Sequence, residues 1–294
     1  MAPALTRLPD AELARLAAAY RAAVAARRRQ TLLFLAVLAV LVLAAARVGE
    51  VDPARFAANL PRFTHYIRDL VPPLTWANLG ADLAEWFWGW KSWGRQLLDT
   101  LLIAYMGTLA GAAGAFCLAF LASANLVRSR AVLFATRRFL EFCRTVPEIV
   151  FALVFVVAFG LGPMPGVLAV AVHTLGALGK LFAEVVENID MKPVEGVSAT
   201  GATWVGTVRF AVVPQVLPNF ASCALLRFEI NVRSAAVMGF VGAGGIGQDL
   251  LEAVRKFYYT DVSAILVMII LTVSAIDLAT EVLRHRLIGW SGER

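Results

Sequence analysis

Residues 32–46 (LLFLAVLAVLVLAAA) form one run without a polar side chain, and Thr31 and Val48 extend it. A helix rising about 1.5 Å per residue needs roughly 20 residues to cross the hydrocarbon core of a bilayer, with about 17 as a working minimum. The run is short but sufficient. Similar apolar segments recur at 97–124, 147–162, 165–186, 214–233 and 261–283. Six spans therefore make the working architecture: an all-α, polytopic membrane protein of about six transmembrane helices. Composition agrees, because 60% of the 294 residues are hydrophobic and only 16% are charged. A soluble domain of this length needs far more polar surface.

Arg27, Arg28 and Arg29 before the first run resemble the start of a cleaved signal. About thirty residues precede that run, however, and Arg47-Val48-Gly49-Glu50 is a poor cleavage site. A retained anchor is expected. The net charge of +6 is also unevenly placed. Arg7, Arg15, Arg21 and Arg27–Arg29 precede the first span. Arg128, Arg130, Arg137, Arg138 and Arg144 follow the second, and Arg284 and Arg286 follow the last. With six spans these groups share one side, the positive-inside pattern, so both termini are expected in the cytoplasm. Basic residues within 47–96 are spread out and mixed with acids. The basicity reports topology and contact with lipid; it implies no nucleic acid.

Residues 1–30 read as a cytoplasmic segment with an amphipathic helix over 8–29 lying at the membrane surface. Residues 31–96 hold the first span and an interfacial segment ending in Trp86-Phe87-Trp88-Gly89-Trp90-Lys91-Ser92-Trp93. Tryptophan favours the lipid–water boundary, so a belt is expected rather than an aromatic cage for a cation. The core domain spans 97–285, and 286–294 is a cytoplasmic tail. Gly107, Gly111 and Gly114 in the second span suit close helix packing. Gly160–Pro165 reads as a tight turn with little room for function. Cys117, Cys143 and Cys223 are expected to pack in apolar surroundings, without disulfide or metal. His65, His173 and His285 form no ligand constellation; His173, inside a span, reads as a packed histidine ahead of a substrate ligand.

Two glycine motifs have the wrong context for nucleotides. Residues 242–247 (GAGGIG), with Asp261 further on, satisfy a dinucleotide-binding pattern but lie between spans. Gly179-Lys180 lacks the Ser or Thr of a P-loop, because Leu181 follows, and Thr174 replaces the first glycine. The chain is thus expected to bind no cofactor and to be no enzyme. Clustered His, Cys or carboxylates for membrane-embedded catalysis are not found.

Between the fourth and fifth spans lies Glu195-Gly196-Val197-Ser198-Ala199-Thr200-Gly201, then Ala211-Val212-Val213-Pro214. This resembles the coupling loop of permeases in ATP-binding-cassette importers: Glu-Ala-Ala, three residues, Gly, nine residues, Ile-x-Leu-Pro. Glu195, Gly201 and Pro214 match in position; Gly196 and Val197 replace the alanines, and Ala211 and Val213 replace Ile and Leu. A helix, a glycine turn and a second helical piece would make a knob for a groove on the ATPase. Pro214 would begin the next span, where a missing N–H is harmless.

A second stretch runs Arg227-Phe228-Glu229-Ile230-Asn231-Val232-Arg233-Ser234 into Gly239-Phe240-Val241-Gly242-Ala243-Gly244-Gly245-Ile246-Gly247-Gln248. Glu229 and Arg233, four apart, share a helical face and can neutralise each other. The glycine run breaks the helix, and broken helices in transporters offer backbone N–H groups to anions. With Arg144-Thr145-Val146-Pro147-Glu148, this stretch is similar to permeases of the phosphonate type, including relatives for phosphite and hypophosphite. The resemblance covers roughly 97–285. It implies the type I importer fold and alternating access. Implied partners are a second permease copy or paralogue, two ATPase subunits that hold ATP and magnesium, and a periplasmic substrate-binding protein.

The path or gate candidates are Arg144, Glu148, Arg227, Glu229, Asn231, Arg233, Ser234, Gly242, Gly244 and Gly245. For Arg144–Glu148, a helix end with a salt bridge stands beside a gating role. For Arg227–Arg233, neutralisation inside the bundle stands beside direct anion contact. A permease for methionine or an osmoprotectant is the alternative within the class. A secondary carrier is less suited, since no inverted repeat is evident and Asp99, Glu229 and Asp277 make a thin proton relay.

Overall fold

The computed structural model describes residues 10–289, so the start of the N-terminal segment and the end of the tail lie outside the described residues. Every regular element among them is helical: α1 (Asp10–Val48), α2 (Pro53–Leu70), α3 (Leu79–Trp86), α4 (Trp90–Ala122), α5 (Arg130–Thr145), α6 (Glu148–Phe159), α7 (Pro163–Glu187), α8 (Met191–Ala199), α9 (Trp204–Thr207), α10 (Val213–Met238), α11 (Gly247–Arg255) and α12 (Tyr259–Gly289). Lipid dictates this, because a backbone in hydrocarbon must satisfy its own polar groups. Among the described residues, five helical stretches are long and apolar enough to cross a membrane, and six if the bent pair α5–α6 counts as one.

The chain divides into two compact units, residues 1–67 and 68–294. In the first, α1 is one unbroken helix of 39 residues. It covers both the expected surface helix and the first span, without an interruption near residue 30. Its apolar side chains, Leu32 to Val42 among them, are exposed, as for a helix whose solvent is lipid.

In the second unit, α4 packs along α7, with α5, α6 and α10 against that pair and α12 against α10. The small-residue stripe makes the close approach possible. A Cβ added at Gly111 would meet the Ala171 carbonyl at 2.7 Å. At one end, Phe120, Leu178, Phe182, Val212 and Phe220 form an apolar core to which α8 contributes Val194. Phe182 and Phe220 stack there with ring centroids 3.9 Å apart. Towards the other end, Ile103, Val170, Val232 and Met238 close the bundle.

The third expected span, 147–162, differs from expectation. Helix α6 has only 12 residues, about 18 Å of rise against a core of roughly 30 Å. It meets α5 at a bend of 87°, because Pro147 disfavours a helical conformation at Val146. Pro214 lies in the first turn of α10, but the chain before it is already helical. The helical run continues from Trp204 to Val241, and a π-turn over Val208–Val212 sits just before the proline. That wider turn accommodates the ring that would otherwise clash with a preceding carbonyl.

The tryptophan segment does more than sit at an interface. Trp86 donates through Nε1 to the Thr260 carbonyl at 3.2 Å and to Ser263 Oγ at 3.1 Å. Trp88 donates to Asp261 Oδ1 at 3.0 Å, and Trp93 is buried. The segment fastens the start of α4 to the start of α12.

Candidate functional site

The knob expected over 195–214 is built from its caps. Asp190 accepts a hydrogen bond from the Lys192 amide at 3.0 Å and so caps α8; Thr203 does the same for α9 through the Gly206 amide at 3.3 Å. The turn between them passes through Gly201, at φ 80°, in open space. Glu195 and Gly196 lie exposed on α8, and a Cβ added at Gly196 would meet nothing within 4 Å. The opposite face of α8 is anchored through Val194. Three further bonds hold the knob: Gln215 exchanges two with the Asp190 backbone, at 3.2 Å each way, and Trp204 Nε1 donates to the Leu126 carbonyl at 3.1 Å. The turn is thus tied at both ends, with Glu195 exposed on α8 beside an exposed Lys192. Pro214 is exposed at the start of α10.

The polar residues of α10 point in three directions. Asn231 faces inward and is fully buried, donating through Nδ2 to Thr108 Oγ1 at 2.7 Å and Thr174 Oγ1 at 2.8 Å. It ties α10 to both α4 and α7. Glu229 and Arg233 form an ion pair on an outer face, and Arg233 also reaches Asp277 of α12 at 3.4 Å. Arg227 turns to a third side. Its Nη2 donates to Glu148 Oε1 at 2.5 Å, and His173 Nε2 lies 3.9 Å from the same oxygen. These three side chains are 11–19% exposed. They line a cleft of about 520 Å³ with Pro147, Ile149, Ile230 and Ser234. His173 Nδ1 and Arg227 Nε are buried there without a hydrogen-bond partner.

Thus the structure brings Glu148, Arg227 and Ser234 of the candidate set to one cleft and leaves the others elsewhere. Arg144 is exposed at the end of α5, four residues before Glu148 across the bend. The glycines do not line the cleft. Ala243 to Gly247 are buried, with Gly244 against Pro163 and Gly245 against Thr100. The Gly160–Pro165 turn is where this run seats: the Gly162 amide donates to the Gly242 carbonyl at 3.0 Å, and the Ile246 amide donates to Thr100 Oγ1 at 2.9 Å. At Gly242, Gly244 and Gly245, φ lies between 81° and 84°, which is why this loop needs residues without a side chain. The run serves as packed backbone rather than an open set of N–H donors. The dinucleotide motif within it has no strand beside it among the described residues, and Gly179-Lys180 lies inside α7.

His173 is the cleft residue that the sequence undervalues. Its signal is indirect: a membrane-buried arginine requires an acid, and Glu148 at the head of a span is the available one. A histidine at mid-span on a neighbouring helix then becomes part of the same group.

The chain is 39% identical over 248 residues to the phosphite transport system permease protein PtxC of Stutzerimonas stutzeri, covering 84% of this chain and 86% of that one. It is 40% identical over 195 residues to the phosphate-import permease protein PhnE of Mycolicibacterium smegmatis, covering 66% of this chain and 37% of that protein. Among solved structures, the MetNI methionine transporter in an inward-facing conformation matches with a TM-score of 0.57 at 20% identity, covering 66% of this chain and 95% of that one. An amino acid ABC transporter matches at 0.54 and 14% identity, covering 68% of this chain and 98% of that one. These likenesses establish the fold of type I importer permeases. Residues 115–288 match the binding-protein-dependent transport system inner membrane component family, and the chain belongs to it.

Proposed function

We propose that this permease carries a small phosphorus oxyanion (phosphonate, phosphite or hypophosphite) inward by alternating access, driven by ATP hydrolysed on separate subunits. One observation carries the mechanistic reading. The helical run from Trp204 to Val241 is continuous, so the knob at its head and Arg227 within it belong to one mechanical element. Closure of the ATPase against Glu195 and α8 then moves α10 as a rigid body, the kind of switching that needs no local unfolding. Two ATPase subunits hold ATP and magnesium, a second permease copy or paralogue completes the path, and a periplasmic binding protein delivers the cargo. Both termini are cytoplasmic: α5–α6 serves as the sixth, bent crossing, and the arginine-rich ends and the α5 cluster share that side.

The cargo class rests on relatives whose names specify phosphite or phosphate transport, and on an arginine at mid-membrane whose planar fork suits tetrahedral oxyanions. The test is growth of a deletion strain able to metabolise phosphonate, phosphite and hypophosphite, each as sole phosphorus source. Gene-dependent growth on at least one is expected. No gene dependence on any, with the complex verified in the membrane, would redirect the cargo to another solute, such as methionine or an osmoprotectant.

A further inference from the structure

The bundle holds two ionic groups near α10, and their charges decide between them. Arg233 sits between two carboxylates, Glu229 and Asp277, so that group carries an excess negative charge and repels an anion. Arg227 faces one carboxylate, Glu148, and His173 adds a neutral or positive ring. This second group is the one that can accept an anion.

Its position suits the task. His173 lies ten residues into α7, about 15 Å along a helix that must cross roughly 30 Å of hydrocarbon. Glu148 begins α6, which is too short to cross by itself, so the positive end of that half-length helix opens at the same depth. Pro147, Glu148 and Ile149 of this end line the cleft with Arg227 and His173. The buried Arg227 Nε and His173 Nδ1 have no partner there, and such groups are costly to leave unmatched.

We propose that Arg227 is the cargo-contacting group of the path, that Glu148 is the internal carboxylate which the cargo displaces, and that His173 offers a second donor to the displaced state. The proposal rests on the phosphorus-oxyanion reading. Its physical logic is an exchange of one anion for another. An empty path must not hold an unpaired buried arginine, because an uncompensated charge in a dry site is strongly destabilising. Glu148 meets that need while the cleft is empty. An arriving monoanion takes its place without changing the charge count, and the returning carboxylate then expels it. Passage is favoured because no state binds tightly.

The test uses the assembled permease–ATPase complex with two variants, Glu148→Gln and the charge-balanced Glu148→Gln/Arg227→Gln. Phosphite is the probe for equilibrium binding without the binding protein. Phosphite, hypophosphite and methylphosphonate are the probes for uptake into proteoliposomes with it. Glu148→Gln removes the competitor and is expected to bind phosphite at least about tenfold more tightly than wild type, while the double variant loses this gain. A structural defect would not produce a gain in binding. The double variant leaves no unmatched charge, so it remains informative where the single variant does not assemble; its uptake is expected to fall at least about tenfold. Uptake by the double variant at the wild-type rate, or equal phosphite binding by wild type and Glu148→Gln, would overturn the proposal. Failure of the cargo reading looks different: wild type itself would take up none of the three probes, and the proposal would fall with it.

Discussion

The α4–α7 contact permits a graded test of how this bundle is held together. A methyl group added at Gly111 would lie 2.7 Å from both the Ala171 carbonyl oxygen and Thr174 Cβ, where ordinary contact begins at 3.4 Å. The shortfall of about 0.7 Å falls on backbone and on a β-branched side chain, neither of which can turn aside. Gly111→Ala therefore forces the helices apart, at about 1–3 kcal/mol for overpacking. At Gly114 the same methyl would meet Leu175 Cδ1 at 2.7 Å, and the next atom is at 3.5 Å. A leucine tip can rotate, so Gly114→Ala is expected to be mild. Gly196→Ala meets nothing and lies in exposed α8, so it should gain about 0.5–1 kcal/mol of helix propensity. Heat stability of the purified permease, followed by the loss of its monodisperse peak on size exclusion, should rank Gly196→Ala above wild type, then Gly114→Ala, then Gly111→Ala. Because Thr174 accepts a hydrogen bond from Asn231 and adjoins His173, Gly111→Ala should also depress uptake. Equal loss from Gly111→Ala and Gly114→Ala, or a neutral Gly111→Ala, would refute the packing argument.

Two further outcomes are expected. Glu195→Arg reverses the charge on the exposed face of the knob, so the protein should insert normally while substrate-linked ATP hydrolysis and uptake are lost; normal uptake would count heavily against docking through this face. Asp249, on α11 between spans, has its carboxyl pushed above the usual range by burial and, secondarily, by Glu252. The folded state then holds the proton more tightly than the unfolded one, so stability falls as pH rises from the ordinary carboxylate value through the raised one. Asp249→Asn should be more heat-stable than wild type at neutral pH and should lose that part of the pH dependence; an unchanged difference between acidic and neutral conditions would contradict the sign.

The spans at 97–124, 165–186, 214–233 and 261–283 were legible because hydrophobicity and length are properties of a local stretch of chain. So was the pairing of Glu229 with Arg233, since helical geometry alone brings residues four apart together. The spacing of Glu195, Gly201 and Pro214 was equally local, and it carried the resemblance to importer permeases. The tertiary structure decided whatever depends on partners far along the chain. Glu148 meets Arg227 across 79 positions, Asn231 meets Thr108 across 123, and the Ile246 amide meets Thr100 across 146. It also decided that the glycine run is packed backbone against Pro163 and Thr100, and that α6, with 12 residues, is too short to cross a membrane by itself. A sequence specifies which groups are costly to leave unsatisfied in lipid, but only the packed helices determine which distant residues satisfy them.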